Sequence, residues 1–273
     1  MFATPPRQKS CKTVTRDQPS DSTRAYHIDL RDGPFRVSAT TFGDGPLVML
    51  LHGWGGSAND MLPLAWAFAR AGWRSVVFDM PGHGRSPGRE SSLVEFLRAM
   101  RLVAGALGTP EIIVGHSFGG AAAVFGITEL RLPARAAVLF SPAPGPAYYV
   151  DRFVRAVGLP AERTGGMVRQ LVERVGRPME SLDAVVAARS AQVPALIVHD
   201  PRDREVPFEF AEQMRDAWRG SRLVPAPSLG HKRILRDTTM IDTAVDFVRS
   251  LPRNQSVIAD ERAECLRDGR TAR

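Results

Sequence analysis

Ile112-Ile113-Val114-Gly115-His116-Ser117-Phe118-Gly119-Gly120-Ala121-Ala122-Ala123 is the stretch that decides the fold. A β-branched apolar run leads into G-x-S-x-G, and a run of small residues leads out of it. Strand, tight turn and helix are the setting in which this pattern forms a nucleophile elbow. The serine hydroxyl is then held clear of the backbone, within reach of a base and a substrate. Glycine is expected at 115 and 119 because a side chain there would collide with the neighbouring strand and helix. The alternative is a Gly-rich strand-to-helix turn with no chemistry.

Outward from the elbow, strands and helices alternate. Residues 47–51 (LVMLL) form a continuous apolar run of the buried-strand type. Two antiparallel strands precede it, at residues 25–30 and 35–41, around the turn Asp32-Gly33-Pro34. Further strands are expected at 73–78, 111–114, 135–140, 194–198 and 221–226. Helices are expected at 57–71, 92–107, 117–130, from about 207, and at 235–250. Two of them open with capping-box spacings, Ser57…Asp60 and Ser92…Glu95. This order predicts an α/β fold, a mostly parallel sheet with helices on both faces.

Residues 143–193 interrupt the rhythm with helical patterns near 146–157, 163–175 and 179–189 and no convincing strand. Fifty residues are too many for an ordinary connection, so the stretch is read as a small helical cap inserted into a core of residues 25–142 and 194–251. Residues 1–24 and 252–273 read as disordered tails.

The composition is that of a globular protein, and the length suits one domain with an insertion. The formal net charge is +7. Residues 1–24 contribute +3 and residues 252–273 contribute +1, which leaves +3 for the body. So weak and tail-weighted a charge argues against specific nucleic-acid binding. No apolar run reaches the roughly 18 residues of a membrane span, and the polar N-terminus does not read as a secretory signal. Cys11 and Cys265, near opposite ends, suggest free thiols and a cytoplasmic location. No cofactor or metal is expected; the partner is a small-molecule substrate.

A serine hydroxyl needs an imidazole to take its proton and a carboxylate to fix the imidazole tautomer. On this fold the order is serine, acid, histidine. Of six histidines, only His231 follows the plausible acid loop. Asp203 is the candidate acid, ahead of Val206-Pro207; Asp200 is the alternative, or else shapes the turn. The amide of Phe118 and that of Trp54, in His52-Gly53-Trp54-Gly55-Gly56, are the candidate oxyanion donors. His52 and His116 read as structural, and Asp79 to Ser86 as a hydrogen-bonded turn rather than a metal site. Tyr148, Tyr149 and Phe153 are candidates to line the substrate pocket from the cap, with cap core as the alternative.

Four pieces together resemble the α/β-hydrolase superfamily over residues 25–251: HGWGG at 52–56, DMPGHGRS at 79–86, GHSFGG at 115–120, and Asp203…Val206-Pro207 with Gly230-His231. The resemblance implies an eight-stranded, mostly parallel sheet with a cap inserted after the sixth strand. It also implies a Ser117–Asp203–His231 triad. Many members carry glycine three residues before the acid, where this chain has Asp200. Serine rather than aspartate at 117 argues against haloalkane dehalogenase and epoxide hydrolase activity. The expected function is hydrolysis of a small carboxylic ester through an acyl-enzyme. The alternatives are thioesterase, lactonase, C–C bond hydrolase, acyltransferase or perhydrolase chemistry with the same triad, or a non-catalytic binder on this fold.

Overall fold

The computed structural model describes residues 25–252. The expectations for residues 1–24, for 253–273, and for Cys11 and Cys265 lie outside the described residues. Eight strands form one sheet: β1 (Ala25–Asp32), β2 (Phe35–Phe42), β3 (Leu47–Leu51), β4 (Arg74–Phe78), β5 (Pro110–His116), β6 (Ala136–Phe140), β7 (Ala195–His199) and β8 (Ser221–Pro225). Their spatial order is β1-β2-β4-β3-β5-β6-β7-β8. The pairs β1–β2 and β2–β4 are antiparallel, and every later pair is parallel. Five of the parallel strands, β3 and β4 among them, are buried almost end to end, as a sheet covered on both faces requires.

The period-2 alternation of strand side chains sorts these residues into two cores. On one face Met49, Leu51, Ile113 and Ile197 pack with helices α2 (Leu93–Leu107), α3 (Phe118–Thr128), α6 (Ala184–Ala188) and α7 (Glu209–Ala217). On the other, Val48, Leu50, Val114 and Val198 pack with α1 (Leu62–Arg70) and α9 (Thr238–Ser250). Helix α3 is buried from Phe118 to Ile127 and has no polar face. A helix apolar all round belongs inside a protein.

Several elements differ from the sequence expectation for local reasons. The stretch at 57–71 is a 3-10 turn (Ala58–Met61) followed by α1, because Pro63 has no N–H to continue a helix through its own position. The stretch at 179–189 divides at Asp183, whose carboxylate caps α6 through the amides of Val185 and Val186. The last helix begins at Thr238, capped by Asp237 at the amide of Met240, and a separate short helix α8 (Gly230–Arg233) precedes it. Between β6 and β7 lie α4 (Pro146–Val157), α5 (Ala161–Val175), a 3-10 turn (Met179–Leu182) and α6. Among the described residues no helix is long and apolar enough to cross a membrane.

Candidate active site

Ser117 sits between β5 and α3 with φ 55° and ψ −120°, a conformation that an L-residue adopts only when its surroundings impose it. They do so from both sides. The Ser117 amide donates to Phe140 O at 2.9 Å, and the Ser117 carbonyl accepts from Ala143 at 3.0 Å and Gly120 at 2.9 Å. The flanking glycines let the backbones close up. A Cβ on Gly115 would lie 2.4 Å from Gly119 O, and one on Gly119 would lie 2.5 Å from Leu51 O and His52 O. The elbow is therefore wedged between its own helix and the end of β3. The amide of Phe118, first in α3, has no intrahelical acceptor and is available to a ligand.

His231 lies in α8, with Nδ1 2.7 Å from Asp203 Oδ2. Asp203 is itself fixed by the loop after β7: its Oδ1 accepts the amides of Glu205 (2.8 Å) and Val206 (3.1 Å). The Nε2 of His199 lies 3.3 Å from Asp203 Oδ2 and 3.0 Å from Val206 O. With two oxygen acceptors that nitrogen carries the proton. Burial opposes ionisation of Asp203. The hydrogen bonds from His199 and His231, the His231 charge and the Glu205 amide outweigh it and hold the carboxyl far below the usual carboxylate range.

The loop after β3 runs against Ser117. A Cβ on Gly53 would come within 3.0 Å of Ser117 Cβ. Two histidines bind this loop reciprocally to the one after β4. His52 Nε2 accepts from the Met80 amide at 3.0 Å, and His83 Nε2 accepts from the Gly55 amide at 3.1 Å. Their Nδ1 atoms face Gly53 O (2.7 Å) and Pro81 O (3.0 Å), so each ring is neutral and protonated on Nδ1. Burial pushes both pKa values down, that of His83 to about 4. Asp79 accepts the amides of Ala58 and Arg85. The turn at 79–86 thus supports the loop that carries Trp54.

Ser117, His231, Trp54 and Tyr149 share the wall of a cavity of about 430 Å³. A second, apolar cavity of about 270 Å³ is lined by Trp54, Phe118, Pro146, Tyr149, Phe153 and neighbouring Arg152 and Ala156. Among the described residues the hydrogen bond of Ser117 Oγ is to Tyr149 Oη, at 3.2 Å, rather than to His231. Contacts between nucleophile and base commonly tighten only with substrate bound. Burial pushes the Tyr149 phenol up to about 12, so it stays protonated at neutral pH.

The profile of the family described as serine aminopeptidase S33 (Hydrolase_4) matches residues 45–219, more than half of the 273. The chain belongs to this α/β-hydrolase family. Over 163 residues it is 30% identical to a monoacylglycerol lipase of Mycolicibacterium smegmatis, covering 57% of this chain and 55% of the lipase. It is 23% identical over 249 residues to human ABHD12B, covering 82% of this chain and 63% of that protein. The chain therefore spans just over half to under two thirds of the length of these two relatives. Among solved structures, Est1E of Butyrivibrio proteoclasticus, with ferulic acid bound, superposes with TM-score 0.66 at 18% identity, over 82% of this chain and all of Est1E. An esterase of Pyrococcus furiosus superposes with TM-score 0.65 at 18% identity, over 91% of this chain and 98% of that one. At such identities the structures establish the fold. The matched family and the lipase relative are hydrolases.

Of the candidate residues in this S33-family chain, Ser117, His231, Trp54 and Tyr149 meet at the first cavity, with Asp203 behind His231. Phe118, Phe153, Trp54 and Tyr149 meet at the second. Tyr148 lines neither: its hydroxyl donates to Glu205 O at 2.7 Å and its ring packs on Phe210 and Tyr149. Asp200 is a turn-former with longer reach than its sequence position suggests. It accepts the amides of Arg202 and of Gly230, which directly precedes His231, and so ties the acid loop to the histidine loop. Burial works against its charge, but the amides of Arg202, Gly230 and Ser228 prevail and lower its pKa. His116 donates from Nε2 to His231 O at 2.8 Å, and burial, then the His231 charge, lowers its pKa to about 3. Sequence reasoning missed the contact of His199 with Asp203. Its signal is faint: a histidine four residues before the acid, at the end of a buried strand.

Proposed function

We propose that this protein hydrolyses small carboxylic esters with Ser117 as nucleophile, His231 as general base and Asp203 as the acid that orients it. The observation that carries this reading is the 2.7 Å contact of Asp203 with His231, beside a serine on a strained elbow in the same cavity. The Asp203 carboxylate fixes the proton of neutral His231 on Nδ1, which leaves Nε2 to accept the Ser117 proton as Oγ attacks the ester carbonyl. The amides of Trp54 and Phe118 receive the oxyanion. Protonated His231 then returns its proton to the leaving alkoxide, and the alcohol departs. Water attacks the acyl-enzyme, loses a proton to His231 Nε2, and the acid is released as Ser117 is reprotonated.

The helices between β6 and β7 act in this reading as a cap of residues 143–193. Helix α4 spans the site: Tyr149 bonds the nucleophile, while Tyr148 and Arg152 both donate to Glu205 O at 2.7 Å, on the acid loop. The neutral Tyr149 phenol steadies the Ser117 oxygen and walls both cavities. Turnover of p-nitrophenyl esters of increasing acyl length tests the assignment. Ser117→Ala is expected to lower kcat by about 10⁵-fold or more, with an optimum at short acyl chains in the wild type. Wild-type activity in that variant would remove Ser117 from the mechanism.

A further inference from the structure

The cavity that holds Ser117 and His231 is also lined by Arg152, Lys232, Arg233 and Arg236, against two carboxylates, Asp60 and Glu205. Several arginines elsewhere on the described surface sit with acids: Arg98 with Asp32, Arg135 with Glu111, Arg155 with Asp151 and Arg177 with Glu129. The cavity's cations do not. Arg233 donates to the carbonyls of Leu229 and Ser228, both at 2.9 Å. Arg152 donates to the carbonyls of Glu205 and Arg204 and to the Tyr148 hydroxyl. These partners fix the two guanidinium groups without cancelling their charge. Lys232 and Arg236 are exposed and make no hydrogen bond or ion pair with another side chain among the described residues.

The two acids offset part of this charge, against four cations. Asp60 has an oxygen held by the Ser57 amide at 2.9 Å. The Glu205 carboxylate is half-exposed, 3.9 Å from His231 Nε2, and helps stabilise the Arg152 cation. The mouth beside the nucleophile is left net positive, with charges converging from α4 and from the segment that carries His231. The adjoining cavity is apolar, and Trp54, Tyr149 and Arg152 belong to both walls. The site therefore has one apolar arm and one cationic arm that meet next to Ser117.

We propose that the substrate is an ester with an apolar group on one side of the scissile bond and an anionic group, carboxylate or phosphate, on the other. The apolar group occupies the pocket under Phe153 and Trp54. The anion is held at Lys232 and Arg236, with Arg152 and Arg233 adding to the positive field. This rests on the serine-hydrolase reading above and adds the charge of the substrate to it.

Two matched pairs of probes test the idea. One pair is p-nitrophenyl valerate and the mono-p-nitrophenyl ester of glutaric acid, which places a carboxylate on the acyl side. The other is 1-butyrylglycerol and 1-butyrylglycerol 3-phosphate, which places a phosphate on the alcohol side. In at least one pair the anionic ester is expected to have about tenfold higher kcat/KM than its neutral partner. That ratio should fall toward one between about 0.02 and 0.5 M NaCl as the cations are screened. It should also fall toward one in Lys232→Gln/Arg236→Gln, and survive in Arg236→Lys, which keeps the charge. Ratios at or below one in both pairs, or a ratio unmoved by the double variant, would overturn the proposal while neutral esters are still cleaved. If no ester of either charge is cleaved and a fluorophosphonate leaves Ser117 unlabelled, the hydrolase reading falls and takes this one with it.

Discussion

The sheet and the helices between β6 and β7 are built to different standards of burial. Strand β6 and helix α3 bury nearly every residue, whereas α4 buries only Pro146 and Val150, and Phe153 and Val157 are about half exposed. Two of the three proposed reacting groups stand on the first kind of structure. Ser117 follows β5 and Asp203 follows β7, both buried strands, whereas His231 lies in α8 beyond β8, a strand with no buried residue, and is held by its contact with Asp203. The residues proposed to choose the substrate stand partly on the second kind, since Tyr149, Arg152 and Phe153 all come from α4. A helix held by few buried contacts can change its sequence at little cost in stability. In the proposed reading chemistry and selectivity are thereby separated between two regions, joined by the hydrogen bond of Tyr149 to Ser117 and by those of Tyr148 and Arg152 to the acid loop.

The sharpest way to break this division is on the sheet side. Asp203→Asn should lower kcat by about 10⁴-fold, because an amide cannot stabilise the imidazolium and admits the wrong tautomer. The comparison is steady-state kinetics on a p-nitrophenyl ester with thermal unfolding recorded alongside; loss of activity without loss of fold is the expected pattern. A variant within tenfold of wild type would exclude Asp203 as the acid.

Next in size is packing at the elbow. Gly115→Ala places a methyl 2.4 Å from Gly119 O, and the cost is expected to be about 3 kcal/mol of stability. Substitution of exposed Val157 by Ala in α4 should stay within about 0.5 kcal/mol. Urea midpoints measure both, and equal effects would mean that the two regions are not packed differently.

Acid should act on the sheet side as well. His52, His83 and His116 are buried and neutral, with pKa values lowered chiefly by burial, to about 4 for His83 and about 3 for His116. In the unfolded chain they protonate near pH 6.5. Between those values the unfolded state binds more protons, so stability is complete above about pH 6.5 and declines as pH falls. The slope is about 1.4 kcal/mol per pH unit for each histidine that titrates only on unfolding. Asp203 adds to the loss below about pH 4, where its unfolded carboxyl protonates while the folded one resists. Unfolding free energies at pH 7, 6 and 5 check the sign; a flat profile would mean that these rings are not held neutral. No histidine lies between β6 and β7, so that segment supplies none of this term.

The smallest expected effect is on the α4 side. Tyr149→Phe removes one hydrogen bond to Ser117 Oγ and leaves the wall of both cavities in place. A loss of about tenfold in kcat/KM is expected, from the deletion of a single hydrogen bond. A loss as large as that of Ser117→Ala would move Tyr149 from a positioning residue into the chemistry itself.

How much was legible in the sequence varied with the range of the interaction. Residues 47–51 and 146–157 were readable to the residue, because an apolar run and a Pro-to-Gly bracket are local signals. The elbow was readable because its glycines, strand and helix are contiguous. The split at Pro63, the separate α8 and the position of Tyr148 were not, since each depends on what packs against the chain. His199 reached Asp203 without a spacing rule to announce it, and Lys232 and Arg236 became a feature only when the chain brought Arg152 across to them.

The sequence by itself determined the α/β order, the serine on its elbow and the order of acid and histidine that limits their identity. These rest on steric and hydrogen-bonding rules that act over a few residues. Tertiary structure alone decided which carboxylate faces His231, which aromatic reaches Ser117, and that four cations gather in one cavity. Those pairs are 28 and 32 residues apart for His231–Asp203 and Ser117–Tyr149. Only the closing of the sheet, with both its faces buried, sets the distance between such groups.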